Sequence, residues 1–134
     1  MIPSTVGFLD KDFEVKEKQS FTYKMQAGEN HVRGYIDELE AVKQSIFKII
    51  MTERYQYIMY SWNYGIELLD LFGEPISYVC PELKRRICEA LLCDDRIKSV
   101  DNFAFDFPQK GVVHVVFTAH SIFGDVQAER EVNY

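Results

Sequence analysis

The hydrophobic residues of this chain change their spacing near residue 100, and that change limits the folds open to it. In two stretches before residue 92, from Leu39 to Ile50 and from Leu83 to Leu91, the apolar positions recur every three or four residues, which is the period of a helix with one buried face. From Phe103 to Phe107, and again from Val126 to Val132, they alternate with polar residues, which is the period of a strand. Helices followed by strands, without regular alternation of the two, predict an α+β domain.

Two amphipathic helices are predicted in the first two thirds of the chain. Asp37 is suited to cap the first helix, with Glu40 bonding back to complete a capping box, and this helix is expected to end near Thr52. Pro81 suits the first position of the second helix, which is expected to end in the sequence CDDR. A short helix is predicted between them, over residues 65–72. The predicted buried faces comprise Leu39, Val42, Ile46, Ile49 and Ile50 in the first helix and Leu83, Ile87, Ala90 and Leu91 in the second.

Strands are predicted on both sides of these helices. FTYKMQ (21–26) and HVRGYI (31–36) flank a turn and provide two short strands before the first helix. Near the C-terminus, FAFDF (103–107) has one apolar face, PQKG supplies a turn, and VVHVVFTAH (112–120) is apolar on both faces, as in a central strand. The last strand places Val126, Ala128 and Val132 on one face, and the three strands are expected to form an antiparallel meander.

Length, net charge and cysteine spacing limit the domain organisation, the partners and the cell compartment expected for this chain. The chain has 134 residues, 47% of them hydrophobic, which fits a single domain over 21–134 preceded by a charged, flexible arm over 1–20. A net charge of −6 argues against a nucleic-acid partner, and no apolar stretch approaches the roughly 20 residues that span a bilayer. Without a recognisable signal peptide, the protein is expected to be soluble and cytoplasmic at synthesis. The spacing of Cys80, Cys88 and Cys93 lacks the close pairs of zinc sites and suits a reducing compartment.

Residues with catalytic or metal-binding chemistry form no convincing set. His114 and His120 stand about 20 Å apart along one predicted strand, too far to share a metal, and the glycines are too scattered for a phosphate loop. Glycoside hydrolysis stays open as an alternative, because it needs two carboxyl groups beside a sugar-binding cleft, which Trp62 and nearby tyrosines could line. The candidate carboxyl groups are those of Glu82, Glu89, Asp94 and Asp95.

Residues 52–75 are unusually rich in aromatic side chains. The stretch TERYQYIMYSWNYGIELLDLFGEP contains five aromatic residues between Tyr55 and Tyr64 and one more at Phe72. Such side chains can fill a core, but aromatic residues and arginine are also enriched at the energetic centres of protein interfaces. We expect Tyr57 and Trp62 to lie in the core and part of the remaining stretch to face a partner.

The order of motifs in this chain resembles the sheath-initiator or baseplate-wedge family of contractile phage tails, which has relatives in type VI secretion systems. The resemblance covers residues 32–134 and is closest to the baseplate component of PBSX-like prophages. It rests on TERY after the first helix, then WNYG, ELLDLFG, DDRI and VDNF in that order. The family's Glu-Pro-Arg turn is matched by Asp94 and Arg96, with Asp95 in place of proline, and its Glu-Arg and aromatic-Gly pairs by Glu53-Arg54 and Tyr64-Gly65.

This resemblance implies a structural subunit that is not an enzyme and needs no cofactor, metal, membrane or small-molecule ligand. Its partners would be other baseplate wedge proteins and the first ring of sheath protein, reached in the bacterial cytoplasm before it resides in the tail baseplate. An open edge on the last strand could pair with a partner's strand. Arg96 could clamp its own turn or reach across an interface, and a small regulatory adaptor remains a further alternative. The implied interaction residues are Glu53, Arg54, Tyr64, Gly65, Asp94 and Arg96, and Val126, Ala128, Arg130 and Val132 on the last strand.

Overall fold

The computed structural model describes residues 20–26 and 28–134 and has the predicted α+β architecture. A two-stranded antiparallel sheet precedes two helices and a three-stranded antiparallel sheet of order β3-β4-β5. Apart from its last residue, the predicted N-terminal arm lies outside the described residues, so the domain limits stay a prediction. The elements are β1 (Thr22–Met25), β2 (Val32–Ile36), α1 (Glu38–Met51), a 3-10 turn (Leu69–Leu71), α2 (Ile76–Leu92), β3 (Ile97–Gln109), β4 (Val112–Ser121) and β5 (Gly124–Asn133).

Helix α1 has the predicted ends. The Asp37 carboxylate accepts a hydrogen bond from the Glu38 N–H at 2.7 Å, and Thr52 is the C-cap. Within the described residues Glu40 makes no return bond to Asp37, so the second half of the predicted capping box is absent. The prediction that Leu39 is buried was wrong, because it lies on the rim of the core near the β4–β5 turn and is 38% exposed.

Helix α2 begins five residues earlier than predicted. Pro75, with φ −69°, is its N-cap, and the Pro75 carbonyl accepts hydrogen bonds from Tyr78 and Val79. Val79 is fully buried and anchors this additional turn, so Pro81 lies inside the helix and not at its first position. The predicted buried face and the end before CDDR are confirmed.

The short helix predicted over 65–72 is reduced to the 3-10 turn Leu69–Leu71. The start of that segment is extended, because Ile66 forms a parallel β-bridge with Glu53. The Ile66 N–H donates to the Thr52 carbonyl at 2.9 Å, and the Arg54 N–H donates to the Ile66 carbonyl at 3.1 Å. Backbone N–H and C=O groups that bond across this bridge cannot also form the hydrogen bonds of a helix.

The C-terminal meander is confirmed, with β4 as its central strand. Strand β3 is longer than predicted: it starts at Ile97 and includes Pro108 and Gln109, so the turn consists of Lys110 and Gly111 only. The inner face of β4 is completely buried, while its outer face is half-buried. The prediction of a strand apolar on both faces therefore overstated the burial of the outer face, which no helix or sheet of the described residues covers completely.

The core lies between the two helices and the inner face of the three-stranded sheet. Aliphatic residues of α1 and α2 pack there around Phe117, with Leu71 closing the side next to the 3-10 turn. No helix within the described residues is both long and apolar enough to cross a membrane. The largest side chains with no or almost no exposed surface are Val42, Ile46, Leu71, Val79, Leu83, Ile87, Leu91, Val113, Val115 and Phe117.

Candidate functional site

Four of the expected interaction residues line one cavity of about 470 Å³. Tyr64 and Gly65 come from the segment after the aromatic loop, and Asp94 and Arg96 come from the turn after α2. Ser45 and other residues of α1, the end of α2 and the residues at the start of β1 form further parts of the wall. The fold therefore brings together two motifs that stand about thirty positions apart in the sequence.

The Asp94–Arg96 pair is the most completely bonded part of this cavity. One Asp94 oxygen accepts from the backbone N–H and the Nε of Arg96, at 3.0 and 2.9 Å. The other accepts from Arg96 Nη2 at 2.7 Å and from the Ser45 hydroxyl at 3.0 Å. The side chains are only 13% and 19% exposed. Burial opposes ionisation of Asp94, but the bonds from Arg96 outweigh it and lower the pKa of the carboxyl group.

The same turn joins three parts of the fold. Ser45 ties it to α1, and the Arg96 carbonyl accepts a hydrogen bond from the Ile122 N–H in the β4–β5 turn at 2.9 Å. The Ile97 N–H bonds to the Asp94 carbonyl at 3.0 Å, which places Asp95 at the second turn position, where proline is favoured but not required. The turn thus forms without the proline of the family motif.

Glu53 and Arg54 close the base of the aromatic loop. The Arg54 guanidinium donates twice to the Gly65 carbonyl, at 3.2 and 3.0 Å, and once to Glu89 at 3.1 Å. The Glu53 carboxylate accepts from the backbone N–H groups of residues 68 and 69, at 2.9 and 3.2 Å. Both side chains, expected to face a partner, bind groups of their own chain in this structure.

The prediction that Tyr57 and Trp62 lie in the core was wrong. They are 47% and 76% exposed, because the bridge at the loop base directs the residues between its ends away from the helices. Only Tyr64 reaches the core cluster, and its ring stacks on Tyr60 with 4.5 Å between ring centroids. The sequence pattern could not reveal this, since spacing does not distinguish an aromatic loop from a buried segment.

Three of the four carboxylates considered for hydrolysis, those of Glu82, Glu89 and Asp94, are bound by arginines. Glu82 pairs with Arg85 and Arg86, and these hydrogen bonds lower its pKa to about 2. Glu89 pairs with Arg54 and Arg85. A glycosidase needs one carboxylic acid that stays protonated near neutral pH, and Glu82 does not meet that requirement. Asp94 is likewise held ionised by Arg96.

Strand β5 lies at an edge of the three-stranded sheet and pairs only with β4 among the described residues. The Tyr134 N–H bonds to the Gly111 carbonyl at 3.0 Å, and the β4–β5 register is unbroken from that end. In an antiparallel ladder, pairs that exchange backbone hydrogen bonds alternate with pairs that do not. Since Tyr134 bonds to its partner, the backbone groups of every second residue before it, the even-numbered residues of β5, also bond to β4. Backbone N–H and C=O groups therefore point toward β4 at the expected interaction residues Val126, Ala128, Arg130 and Val132. The backbone groups that point away from β4 belong to Gln127, Glu129 and Glu131.

Arg130 has an unusual environment for a charged residue. Its guanidinium contacts the sulfur atom of Met51 at the end of α1, and its buried Nε has no hydrogen-bond partner. Within the described residues no carboxylate lies within ion-pairing distance of it. The charge of Arg130 is therefore not balanced by an ion pair within the described residues.

The histidines of β4 are sheet-face residues, as expected. His114 pairs with Glu129 at 3.1 Å, and His120 lies between Asp125 and Asp101, at 2.6 and 2.7 Å. No group of three potential metal ligands occurs in the part of the chain that the structure describes. The hydrogen bonds to Asp125 and then Asp101 raise the pKa of His120.

This pair of contacts predicts a pH-dependent contribution to stability. A histidine whose pKa is raised in the folded state stabilises that state fully below its unfolded pKa, about 6.5, and loses this effect as the pH rises through the folded pKa. Wild-type protein should therefore melt at a higher temperature than His120→Gln at pH 6, with a smaller difference at pH 9. An equal difference at both values would contradict the assignment.

The fold and the bonded turns define a small α+β protein whose charged motif residues hold its own structure together. The family of contractile injection system sheath initiators matches residues 11–124, which is most of the chain. The chain therefore belongs to that family, whose members are components of contractile tails. It is also 33% identical over 129 residues to the phage-like element PBSX protein XkdS of Bacillus subtilis strain 168, covering 91% of each chain.

Proposed function

We propose that this protein is a non-enzymatic wedge subunit of a tail baseplate that binds neighbouring wedge proteins and starts sheath assembly. It would assemble in the bacterial cytoplasm and remain in the baseplate of the finished tail. Membership of the sheath initiator family supports the role, and the observation that carries the mechanism is the regular outer edge of β5, which no other described strand pairs with. A strand of the first sheath ring would extend the three-stranded sheet at this edge.

Strand β5 suits this role better than the opposite edge strand, β3. The β3–β4 ladder has three register shifts, and Asn102 within β3 has φ +54°. Bulges of this kind twist an edge and hinder further pairing. The β4–β5 ladder has no such irregularity over ten residue pairs, so β5 presents its free backbone groups in regular order.

The side chains along β5 would select the partner. Glu129 and Glu131 place negative charge on the exposed face, which discourages indiscriminate strand pairing. Arg130, whose guanidinium has no carboxylate partner among the described residues, would attract a carboxylate brought in by the added strand. The cavity around Tyr64 and Arg96 would lie on the side facing the wedge proteins, with Glu53 and Arg54 supporting its wall from within.

A proline at position 127 tests the strand-addition mechanism. Gln127→Pro removes an N–H that points away from β4, so the protein should fold, as prolines are tolerated at such edge positions. It should nevertheless fail to support sheath assembly, because a partner strand would lose a hydrogen bond and meet the proline ring. The measurement is the fraction of tails with sheaths, counted by electron microscopy after complementing a strain that lacks the protein.

Gln127→Ala is the matched control, since it removes the same side chain but keeps the N–H group. Circular dichroism of both purified variants would establish that the fold is intact. Normal sheaths on particles carrying folded Gln127→Pro would refute strand addition at β5.

A further inference from the structure

We propose that residues 55–63 form a preformed knob that inserts into an apolar cleft with a basic rim on a neighbouring wedge protein. This inference rests on the proposed function and names one chemical feature of the partner. Six large apolar or aromatic side chains in this loop are more than 40% exposed. Ile58 is as exposed as in an extended chain, at 104%, and the other five are Tyr55, Tyr57, Met59, Tyr60 and Trp62.

The loop is held in shape by bonds at its base and within it. Arg54 clamps the Gly65 carbonyl, and the bridge between Glu53 and Ile66 closes the ends. Two internal turns follow, from the Tyr60 N–H to residue 57 and from the Tyr64 N–H to residue 61, at 3.3 and 3.1 Å. Because an ordered loop loses little conformational entropy on binding, its exposed apolar groups can contribute most of their burial energy to affinity.

The stacked tyrosines form a column from the core to the exposed part of the loop. Tyr64 packs against the core, Tyr60 stacks on it, and Tyr57 meets Tyr60 edge-on with ring centroids 6.0 Å apart. Such a column resists bending of the loop. Rigid aromatic side chains with polar tips are the groups most enriched among residues that dominate binding energy.

The charges around the loop indicate the partner's rim. Residues 55–66 contain no Asp, Glu, Lys, Arg or His, whereas the next eight contain Glu67, Asp70 and Glu74. Glu67 lines the same small cavity as Tyr55, so the acidic segment borders the knob. The three arginines that also line this cavity are each ion-paired with carboxylates of their own chain, which leaves the Glu67 charge unbalanced there. Asp70 is paired with Arg86, while Glu67 and Glu74 have no ion-pair partner among the described residues. Basic residues at the partner's rim would complement these carboxylates.

A lipid surface is the other environment that exposed aromatic loops enter. Loops and helices that bind membranes usually carry Lys and Arg beside their apolar groups, which attract anionic headgroups. Here the flanking segment is acidic and the whole chain has a net charge of −6. The charge pattern therefore favours a protein cleft over a membrane.

Photo-crosslinking in assembled tails tests the inference. A photoreactive benzoylphenylalanine is placed at position 59, and at position 47 as the matched control, since Phe47 is also half-exposed but lies on α1. Irradiated tail particles should give an adduct between position 59 and one wedge protein, identified by mass spectrometry. Position 47 should not give that adduct.

Substitutions then measure the contribution of the knob and its border. Ile58→Ser with Trp62→Ala should weaken binding to the wedge protein about tenfold, equivalent to about 1.4 kcal/mol, and so lower the number of copies per particle, while Phe47→Ser should have little effect. Glu67→Lys should also weaken this binding, more strongly at low salt than at high salt. Folding of each variant is verified by circular dichroism.

The possible failures are distinguishable. If the wild-type chain is present in tails but position 59 gives no wedge-protein adduct, the knob is wrong while the proposed function stands. Absence of the chain from tails overturns both. Trp62 is the protein's single tryptophan, so a shift of its emission to shorter wavelength with phosphatidylcholine vesicles, without any adduct in tails, would overturn the protein cleft in favour of a membrane.

Discussion

Arg96→Ala is expected to lower the free energy of unfolding of the isolated protein by about 2–3 kcal/mol. The substitution removes two side-chain hydrogen bonds to Asp94 and leaves that carboxylate largely buried with fewer partners. For a chain of this size the melting temperature should fall by on the order of 10 °C. Thermal and urea unfolding of the purified protein measure both quantities.

Asp95→Ala is the matched control, because Asp95 is exposed, belongs to the same turn and makes no side-chain hydrogen bond to any other described residue. It should change stability by no more than about 0.5 kcal/mol. Comparing Arg96→Ala with Asp95→Ala decides between the two roles that the sequence left open for Arg96, which are clamping its own turn and bonding across a subunit interface. An isolated Arg96→Ala protein as stable as wild type, but unable to join tails, would mean that the residue acts between subunits.

Gly65→Ala is the second substitution with a large expected effect, about 2 kcal/mol or more of destabilisation. Gly65 has φ +88°, a conformation that side chains disfavour, and a Cβ atom there would stand 2.6 Å from the Thr52 carbonyl oxygen. Thr52 belongs to the bridge that closes the aromatic loop, so the loop base must shift. Urea unfolding gives the loss, and increased quenching of Trp62 fluorescence by acrylamide would report a loosened loop.

Gly73→Ala separates the two causes. Gly73 has nearly the same φ, +87°, but a Cβ atom there would meet nothing within 4 Å. This control should cost only the conformational penalty of about 1–2 kcal/mol and leave the fluorescence unchanged. Equal losses in the two variants would show that the close approach at Gly65 has no energetic consequence.

Much of the fold could be predicted because local signals and packing agree. Asp37 marks the start of α1 by a capping preference, and the alternation of apolar residues in β5 matches the burial of Val126 and Val132. The predictions failed where tertiary bonds override local preference. Pro81 lies inside α2 because Val79 is drawn into the core, and the segment before Leu69 is extended because its backbone pairs with residues 52–54.

The candidate site was predictable only in part. Residues such as Asp94 and Arg96 were identified by their motif, but their mutual bonds follow from a turn geometry that sequence spacing does not give. The direction of the β5 backbone groups could not be predicted either, because it depends on the strand register and not on sequence spacing. Alternation shows which side chains face inward, whereas the ladder register shows that Gln127 and Glu129 offer the free edge.

The measurement that tests the central claim most directly is quantitative mass spectrometry of tail particles, sedimented from an induced strain that produces this protein. The account predicts that the chain sediments with the tails at a few copies per particle, far below the sheath and tube proteins. A chain that stays in the soluble fraction, with tails complete without it, would contradict its role as a baseplate subunit that starts sheath assembly.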